Sequence, residues 1–163
     1  MDAQALAYFH ELMQIAIEVG DTRQTAEKFL VTLRQQFVFD NVAVYLQDEA
    51  TGTLEIVYAR AIGRAKNAEA DADWGETFAS QVLAHGKLLK RDPEVGASPD
   101  DRLSQAYLLG IPLRNDGLIG GALVFVRFGG PAYEQEHNMM AALAAELLSV
   151  MFERTTWKKT HRE

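Results

Sequence analysis

Residues 110–127 read GIPLRNDGLIGGALVFVR, two apolar runs on either side of a polar turn. The turn residues Asn115, Asp116 and Gly117 tolerate a positive φ, and the run after them is long, apolar and rich in β-branched residues. This pattern predicts a β-hairpin. Because the second run has no polar side chain on either face before Arg127, we expect it to be a central strand, covered on both sides of a sheet.

Helical patterns flank this hairpin, and a second hairpin precedes it. The expected elements, in chain order, are amphipathic helices over residues 3–19 and 21–36, strands over 41–46 and 53–59, a short helix over 74–86, a brief strand over 87–90, a short helix from Ser98 through Tyr107, and a long helix from about 132 to about 159. Residues 60–73 are small and charged without periodicity, which predicts an exposed connection. Because the strands are grouped in hairpins, we predict an α+β fold.

The composition fits one globular domain over residues 1–163 and limits its chemistry. A net charge of -7 argues against a surface for nucleic acid. The chain has no cysteine, which excludes disulfides, thiolate nucleophiles, thiolate zinc sites and thioether-linked cofactors. There is no secretory pattern and no run of about 18 apolar residues, so we expect a cytoplasmic protein with no membrane insertion within this chain.

The motifs that would indicate catalysis or a metal site are incomplete. Glu134 and His137 have a spacing that occurs in carboxylate-bridged metal sites, but one such pair supplies too few ligands. The glycine pairs at 120–121 and 129–130 are not followed by Lys-Ser or Lys-Thr, so they do not predict a phosphate loop. No serine lies in a nucleophile-elbow context. We therefore expect no catalytic residue and no metal site in this chain.

The last helix has a second apolar seam beside its core face. The seam steps by three and four residues, the spacing of a helix that packs on a partner, through Met140, Leu143, Leu147, Val150, Arg154 and Trp157, and its apolar members are the predicted dimer contacts. One interpretation is a homodimer through the terminal helices, and the other is burial of the seam against the first helix of the same chain. The basic residues after Phe152 offset the negative end of the helix dipole, or they mark 153–163 as the start of a connector helix.

The order of elements, together with FDNVAVYLQDEATGTLEIVYA at 39–59 and GIPLRNDGLIGGALVFVR at 110–127, resembles the GAF domain family of small-molecule sensor and dimerisation modules. The resemblance covers nearly the whole chain, from Leu6 to Phe152. It implies a GAF/PAS-like fold with a central antiparallel sheet of about five or six strands. The N- and C-terminal helices would lie on one face, and the connecting segments from Ala59 to Leu109 would form a ligand pocket on the other.

The resemblance places the ligand-binding residues in those connecting segments and beside the hairpin turn: Trp74, Phe78, His85, Tyr107 and Arg114. The alternative is that the aromatic side chains fill the sheet face as core and that Arg114 is solvated. Bilin-binding members and free methionine sulfoxide reductases of the family use cysteines, which this chain lacks, so we expect a non-covalent small ligand and no cofactor. The cyclic-nucleotide signature is partial, because no Asn-Lys pair precedes Asp48 and Glu49.

The resemblance implies a regulatory module of a bacterial signal-transduction protein. It would sense a small ligand, form a homodimer and act on an effector domain such as a histidine kinase, a diguanylate cyclase or an HD-type phosphohydrolase, with no catalytic activity of its own. Two alternatives stay open. One is a dimerisation scaffold whose pocket is filled, and the other is a small-molecule enzyme that uses Trp74, His85 and Arg114.

Overall fold

The structure is a computed structural model that describes residues 3–17, 22–35, 37–61, 75–94, 96, 105–115 and 117–162. Its elements, in chain order, are α1 (Ala3–Ala16), α2 (Thr22–Leu33), β1 (Asn41–Gln47), β2 (Leu54–Ala61), α3 (Glu76–His85), β3 (Leu89–Arg91), β4 (Tyr107–Asn115), β5 (Leu118–Arg127) and α4 (Gln135–Arg162). Within these ranges, no helix has both the length and the apolar character that crossing a membrane requires.

The strands form one antiparallel sheet of five strands in the order β2-β1-β5-β4-β3. The predicted hairpin at 110–127 is confirmed as β4 and β5, and β5 is the central strand, paired with β4 on one side and β1 on the other. Residues on β5 from Gly121 to Val126 are all buried. The continuous apolar run therefore reflects a strand covered on both faces, as expected from its lack of polar alternation.

Three helices, α1, α2 and α4, contact one another and cover one face of the sheet, which we call the three-helix face. The strands contribute large side chains to this face, among them Leu123 and Phe125 of β5. Phe37 lies at its centre, with its ring centroid 4.6 Å from that of Phe125 and 5.2 Å from that of Tyr133. This is the larger of the two cores in the described part of the chain.

The opposite face is covered by α3, and we call it the α3 face. Phe78, Ala79 and Val82 of α3 pack there on strand side chains that include the large Tyr45 and Leu108 besides alanines and valines. A Cβ atom at Gly110 of β4 would lie 2.5 Å from Cγ2 of Val82 and 2.8 Å from Cε2 of Phe78. The missing side chain at Gly110 therefore lets α3 approach the sheet closely. The predicted placement of the terminal helices on one face and a connecting segment on the other is confirmed.

Several predicted boundaries were wrong by a few residues. The expected helix through Tyr107 is wrong at its end, because Tyr107 is the first residue of β4 and is held by pairing with Arg127. Its expected start at Ser98 lies outside the described residues. The second strand runs on to Ala61, since it follows β1 as far as the pairing of Ala61 with Asn41. The long helix begins at Gln135, because Tyr133 turns into the core just before it.

Candidate functional site

The centre of the α3 face is formed by Phe78, which is only 4% exposed. The helix that positions it is short, and it ends as the sequence predicts at Gly86, whose left-handed backbone lets its N–H bond to the Val82 carbonyl oxygen at 2.9 Å. On one side the Phe78 ring meets β4 at Gly110. On another the guanidinium carbon of Arg91 lies 5.9 Å from the ring centroid, within the range of a cation–π contact.

Arg91 was not among the residues predicted from the sequence. It is half-buried on β3, where pairing with Leu108 places it on the same face as Leu89. The signal for it is weak, because β3 has only three residues and its alternation is too short to recognise alone. Arg91 brings a permanent positive charge to the α3 face beside Phe78.

Among the residues that it describes, the structure does not bring the predicted ligand-binding residues together. Trp74 lies outside the described residues, while His85 is exposed at the end of α3 and Arg114 is exposed near the end of β4. The prediction that Tyr107 lies in a segment covering the α3 face is wrong. Residues 107, 109, 111 and 113 alternate toward the three-helix face, and Tyr107 packs against the core there. Of the four predicted residues that lie within the described ranges, only Phe78 belongs to the core of the α3 face.

Polar groups on the three-helix face are used to hold the fold. Asp40 Oδ2 accepts a hydrogen bond from the Phe128 backbone N–H at 2.7 Å, and the Tyr133 hydroxyl donates one to the Val38 carbonyl oxygen at 3.2 Å. Burial raises the pKa of Tyr133 well above its ordinary value, Asp40 adds to this, and Arg127 opposes it. These groups tie the start of α4 to the ends of β1 and β5.

His137 has a structural contact that accounts for its spacing from Glu134. The backbone N–H of Glu134 donates a hydrogen bond to His137 Nδ1 at 2.8 Å, so the imidazole satisfies a backbone donor at the start of α4. The His137 ring also packs against Phe37 and Tyr133. Across the described ranges, no three His, Asp or Glu residues are grouped in a way that would hold a metal ion.

The predicted seam of α4 divides into a buried and an exposed part. Met140, Leu143 and Leu147 are half-buried and pack against the core of the three-helix face. Val150 is 50% exposed, and the neighbouring Met139 is 52% exposed. The side chain of Trp157 lies outside the described part. The intramolecular alternative therefore accounts for about half of the predicted seam and leaves Val150 unexplained.

A second exposed apolar row lies on α1 and on the residue that follows it. Leu6, Met13 and Ile17 are 59%, 50% and 66% exposed, while Phe9, Leu12 and Ile15 of the same segment are buried. Both sets belong to the apolar pattern that predicts an amphipathic helix over residues 3–19. Phe9 lies three residues after Leu6 and four before Met13, so helical spacing alone does not separate the exposed row from the buried one.

The comparisons with known proteins agree on the fold. The family model of the GAF domain matches residues 21–151. No curated protein matches the sequence of the chain. The GAF domain of a phosphoenolpyruvate-protein phosphotransferase from Coxiella burnetii is similar in structure, with a TM-score of 0.71 at 16% identity, covering 95% of this chain and 96% of that one.

Two further structures have the same architecture. One is a free methionine-R-sulfoxide reductase from Neisseria meningitidis in complex with its substrate, with a TM-score of 0.68 at 18% identity, covering 96% of this chain and 95% of that one. The other is a methyl-accepting chemotaxis protein, residues 122 to 287, with a TM-score of 0.68 at 16% identity, covering 91% of this chain and 98% of that one. The TM-scores establish a shared fold, and the family match extends over most of the chain. The chain therefore belongs to the GAF domain family.

Proposed function

We propose that this chain is a regulatory module of a cytoplasmic bacterial signalling protein, and that it forms a homodimer and responds to a small ligand bound without covalent attachment on the α3 face. The observation that supports this best is the position of the exposed apolar rows on α1 and α4, the two helices that bear the ends of the domain. In this proposal the rows form the dimer contact, and the ligand changes how these helices pack.

The dimer part of the proposal is supported by the size of the exposed side chains. Burying one such Leu, Ile, Met or Val side chain contributes about 1.5–3 kcal/mol relative to leaving it in water. Four of them lie on α1 and α4 at half exposure or more, and Ile17 follows α1 directly. A contact that covers even part of this surface would offset the loss of freedom on association.

Val150→Lys tests the dimer. The side chain is half exposed, so a lysine there keeps the core intact but places a charge in the proposed interface. Leu147→Lys is a poorer test, because Leu147 also packs against the core. We expect native mass spectrometry and light scattering to give a dimer for the wild type and a monomer for Val150→Lys. Gln81→Lys, an exposed position on α3, is the control.

Two outcomes would contradict the dimer. If the wild-type chain is monomeric over the concentration range of light scattering, the exposed rows have no partner in a second copy. If Val150→Lys remains a dimer with unchanged stability, the interface lies elsewhere.

The ligand part of the proposal is supported by the composition of the α3 face. It combines an aromatic ring, small side chains around it and the Arg91 guanidinium at its border. Apolar surface with a few polar groups is typical of small-molecule sites. Native mass spectrometry of the purified chain would detect a retained molecule, and Phe78→Ala should lose it. A chain that never carries a ligand supports the second candidate instead.

The second candidate is a dimerisation scaffold whose α3 face is filled. The observation in its favour is that Phe78 and Val82 occupy the space above Gly110. An enzymatic function is the least supported. The methionine-R-sulfoxide reductase shares the fold, but this chain has no cysteine thiol with which to reduce a sulfoxide.

The output of the proposed module is an effector domain such as a histidine kinase, a diguanylate cyclase or an HD-type phosphohydrolase. Support for a connector comes from α4, which continues as one helix to Arg162, beyond Met151 and Phe152, the last core residues among the side chains that the structure describes. The similarity to a domain of a chemotaxis protein is consistent with a signalling context. Fusing the chain to a reporter kinase and comparing kinase activity with and without Val150→Lys would test whether the helix transmits the dimer state.

A further inference from the structure

Ser149 is a polar residue buried in the middle of α4. Its Oγ donates a hydrogen bond to the Ala145 carbonyl oxygen at 2.7 Å and accepts one from the backbone N–H of Arg114 at 3.0 Å. The hydroxyl proton and an oxygen lone pair are thus both used. Ser149 joins the last helix to the end of β4 through a directional contact.

Arg114 occupies an irregular position in the sheet. The pairing of β4 with β5 shifts in register between Leu113 and Arg114, close to the turn that joins the two strands. At this shift the N–H of Arg114 is directed to the helix. This N–H is partly buried, and an apolar side chain at position 149 would supply no acceptor for it. The Arg114 N–H at the register shift therefore relies on the acceptor that Ser149 supplies.

The choice of serine at this position is informative, because helix formation alone would favour alanine. Alanine occurs one turn earlier in the same helix, at Ala144 and Ala145. Serine is a weaker helix former than alanine, and its bond to the carbonyl oxygen four residues earlier slightly destabilises a helix. The hydrogen bond to Arg114 offsets this disadvantage, which indicates that position 149 is fitted to the strand as well as to the helix.

We propose that Ser149 is the positioning residue that transmits movement of the turn between β4 and β5 to α4. This inference rests on the proposed function, in which the packing of α4 is the output. When the turn moves, α4 follows through Ser149, or the bond breaks and leaves the partly buried Arg114 N–H without its acceptor, which is unfavourable. The apolar contacts around it, such as those of Leu113, have no comparable directional preference.

Amide hydrogen exchange, followed by NMR on the isotope-labelled full chain, tests the bond itself. Ser149→Ala should speed exchange at the Arg114 amide by about fivefold to tenfold, because the acceptor is lost. Ser149→Thr keeps the hydroxyl and should restore slow exchange. Ser80→Ala, at an exposed position of α3, is the matched control and should leave Arg114 unchanged. Unchanged exchange at Arg114 in Ser149→Ala would overturn the inference.

The coupling is tested by straining the turn and reading the helix. Gly117 has a φ of +80° with open space at its Cβ position, so Gly117→Ala strains the turn without adding a contact. Gly52, in the turn between β1 and β2, has a φ of +74° and equally open surroundings, which makes Gly52→Ala the matched control. In the described part of the chain, that turn has no hydrogen bond to α4.

We expect Gly117→Ala to speed amide exchange in α4 around Ser149 by at least about threefold, and Gly52→Ala to leave it unchanged. In a Ser149→Ala background, adding Gly117→Ala should no longer alter exchange in α4. An effect of Gly117→Ala that is the same with and without the serine hydroxyl would show that the coupling takes another route, and the proposal would be overturned.

The failure of this inference and the failure of the proposed function are distinguishable, because the exchange measurements need neither a ligand nor a dimer. A negative result at Ser149 leaves the dimer and ligand tests as they are. A monomeric chain without ligand would contradict the sensor function, while the dependence of α4 on the turn would still be decided by the exchange rates.

Discussion

The two faces of the sheet are built from different side chains, although they share the same strands. On the three-helix face β5 contributes Leu123 and Phe125, and the helices add a cluster of aromatic rings. On the α3 face the same strand contributes Ala122, Val124 and Val126. The β5 side chains toward the three helices are therefore large, whereas those toward α3 are small or β-branched, and the missing side chain at Gly110 lets α3 approach closely.

We expect the three-helix face to contribute mainly to stability and the α3 face to the proposed ligand response. The three-helix face buries the larger apolar surface, so it should supply most of the free energy of folding. The α3 face is covered by one helix of ten residues in the described part of the chain. A thin cover that adds less to stability is the kind of element that can move when a ligand binds.

Truncating one phenylalanine on each face gives the largest expected effect. Phe125 is fully buried in the three-helix face, and Phe78 is nearly so in the α3 face. We expect Phe125→Ala to lower the free energy of unfolding by about 3–5 kcal/mol, and Phe78→Ala to lower it by less than about 3 kcal/mol, because α3 can settle into the cavity. Urea unfolding of both variants measures the difference.

The comparison fails if Phe78→Ala destabilises the chain as much as Phe125→Ala. The α3 face would then be as rigid as the opposite face. Its role as a responsive surface would lose its physical basis.

Adding one methyl group to each face gives an intermediate effect. At Gly121 on β5 a Cβ atom would overlap the Tyr45 carbonyl oxygen of the neighbouring strand and lie 2.9 Å from Leu46 Cδ2. At Gly110 it would meet only the side chains of Phe78 and Val82. We expect Gly121→Ala to destabilise by about 3 kcal/mol and Gly110→Ala by about 1 kcal/mol, because a helix can move outward more easily than a paired strand.

Melting temperatures of the two glycine variants, measured side by side, check this order. An equal loss at both positions would mean that α3 is held as firmly as β1. A higher melting temperature for Gly121→Ala would show that β1 and β5 do not approach each other closely at Gly121.

The smallest expected effect is a loss of stability at alkaline pH that arises on the three-helix face. Burial, with a further contribution from Glu11, raises the pKa of Tyr8, and burial chiefly raises that of Tyr133. Both hydroxyls lie on the three-helix face and donate to carbonyl oxygens, Tyr8 to Thr32 at 2.7 Å. Because the fold favours the protonated phenols, their contribution to stability is complete below the ordinary pKa of about 10 and is lost as the pH rises above it.

Urea unfolding at about pH 8 and about pH 11 measures this loss. Tyr8→Phe and Tyr133→Phe should be less stable than the wild type at the lower pH, because a hydrogen bond is missing, and should lose less on going to the higher pH. Parallel losses in the wild type and in both variants would show that these two phenols do not determine the alkaline limit.

Local sequence patterns predicted most of the fold, and the errors in that prediction have a common cause. The hairpin at 110–127, the stop at Gly86 and the first hairpin depend on turn residues and on alternation, which are visible in a short window. The assignment of Tyr107 to a helix followed a helix start at Ser98, and only pairing with Arg127 from a later strand determines its state. Local signals cannot report such tertiary pairing.

The sequence indicated the face of the sheet on which the candidate site lies, but not which residues form it. The resemblance indicated the face that the connecting segments cover, and Phe78 lies there. The contact of Arg91 with its ring depends on a strand of only three residues, and the bond of Ser149 to Arg114 depends on a register shift. Neither feature leaves a periodic trace in the sequence.

The central position of β5 also has a consequence for the order in which the chain can fold. β1 and β5 come from opposite halves of the sequence, yet they pair directly, with Asn41 opposite Val126. During synthesis the hairpin of β1 and β2 emerges long before β5, and the outer edge of β1 is unpaired until then. Contacts between distant parts of a chain slow folding, so this edge is the segment most exposed to wrong partners on the ribosome.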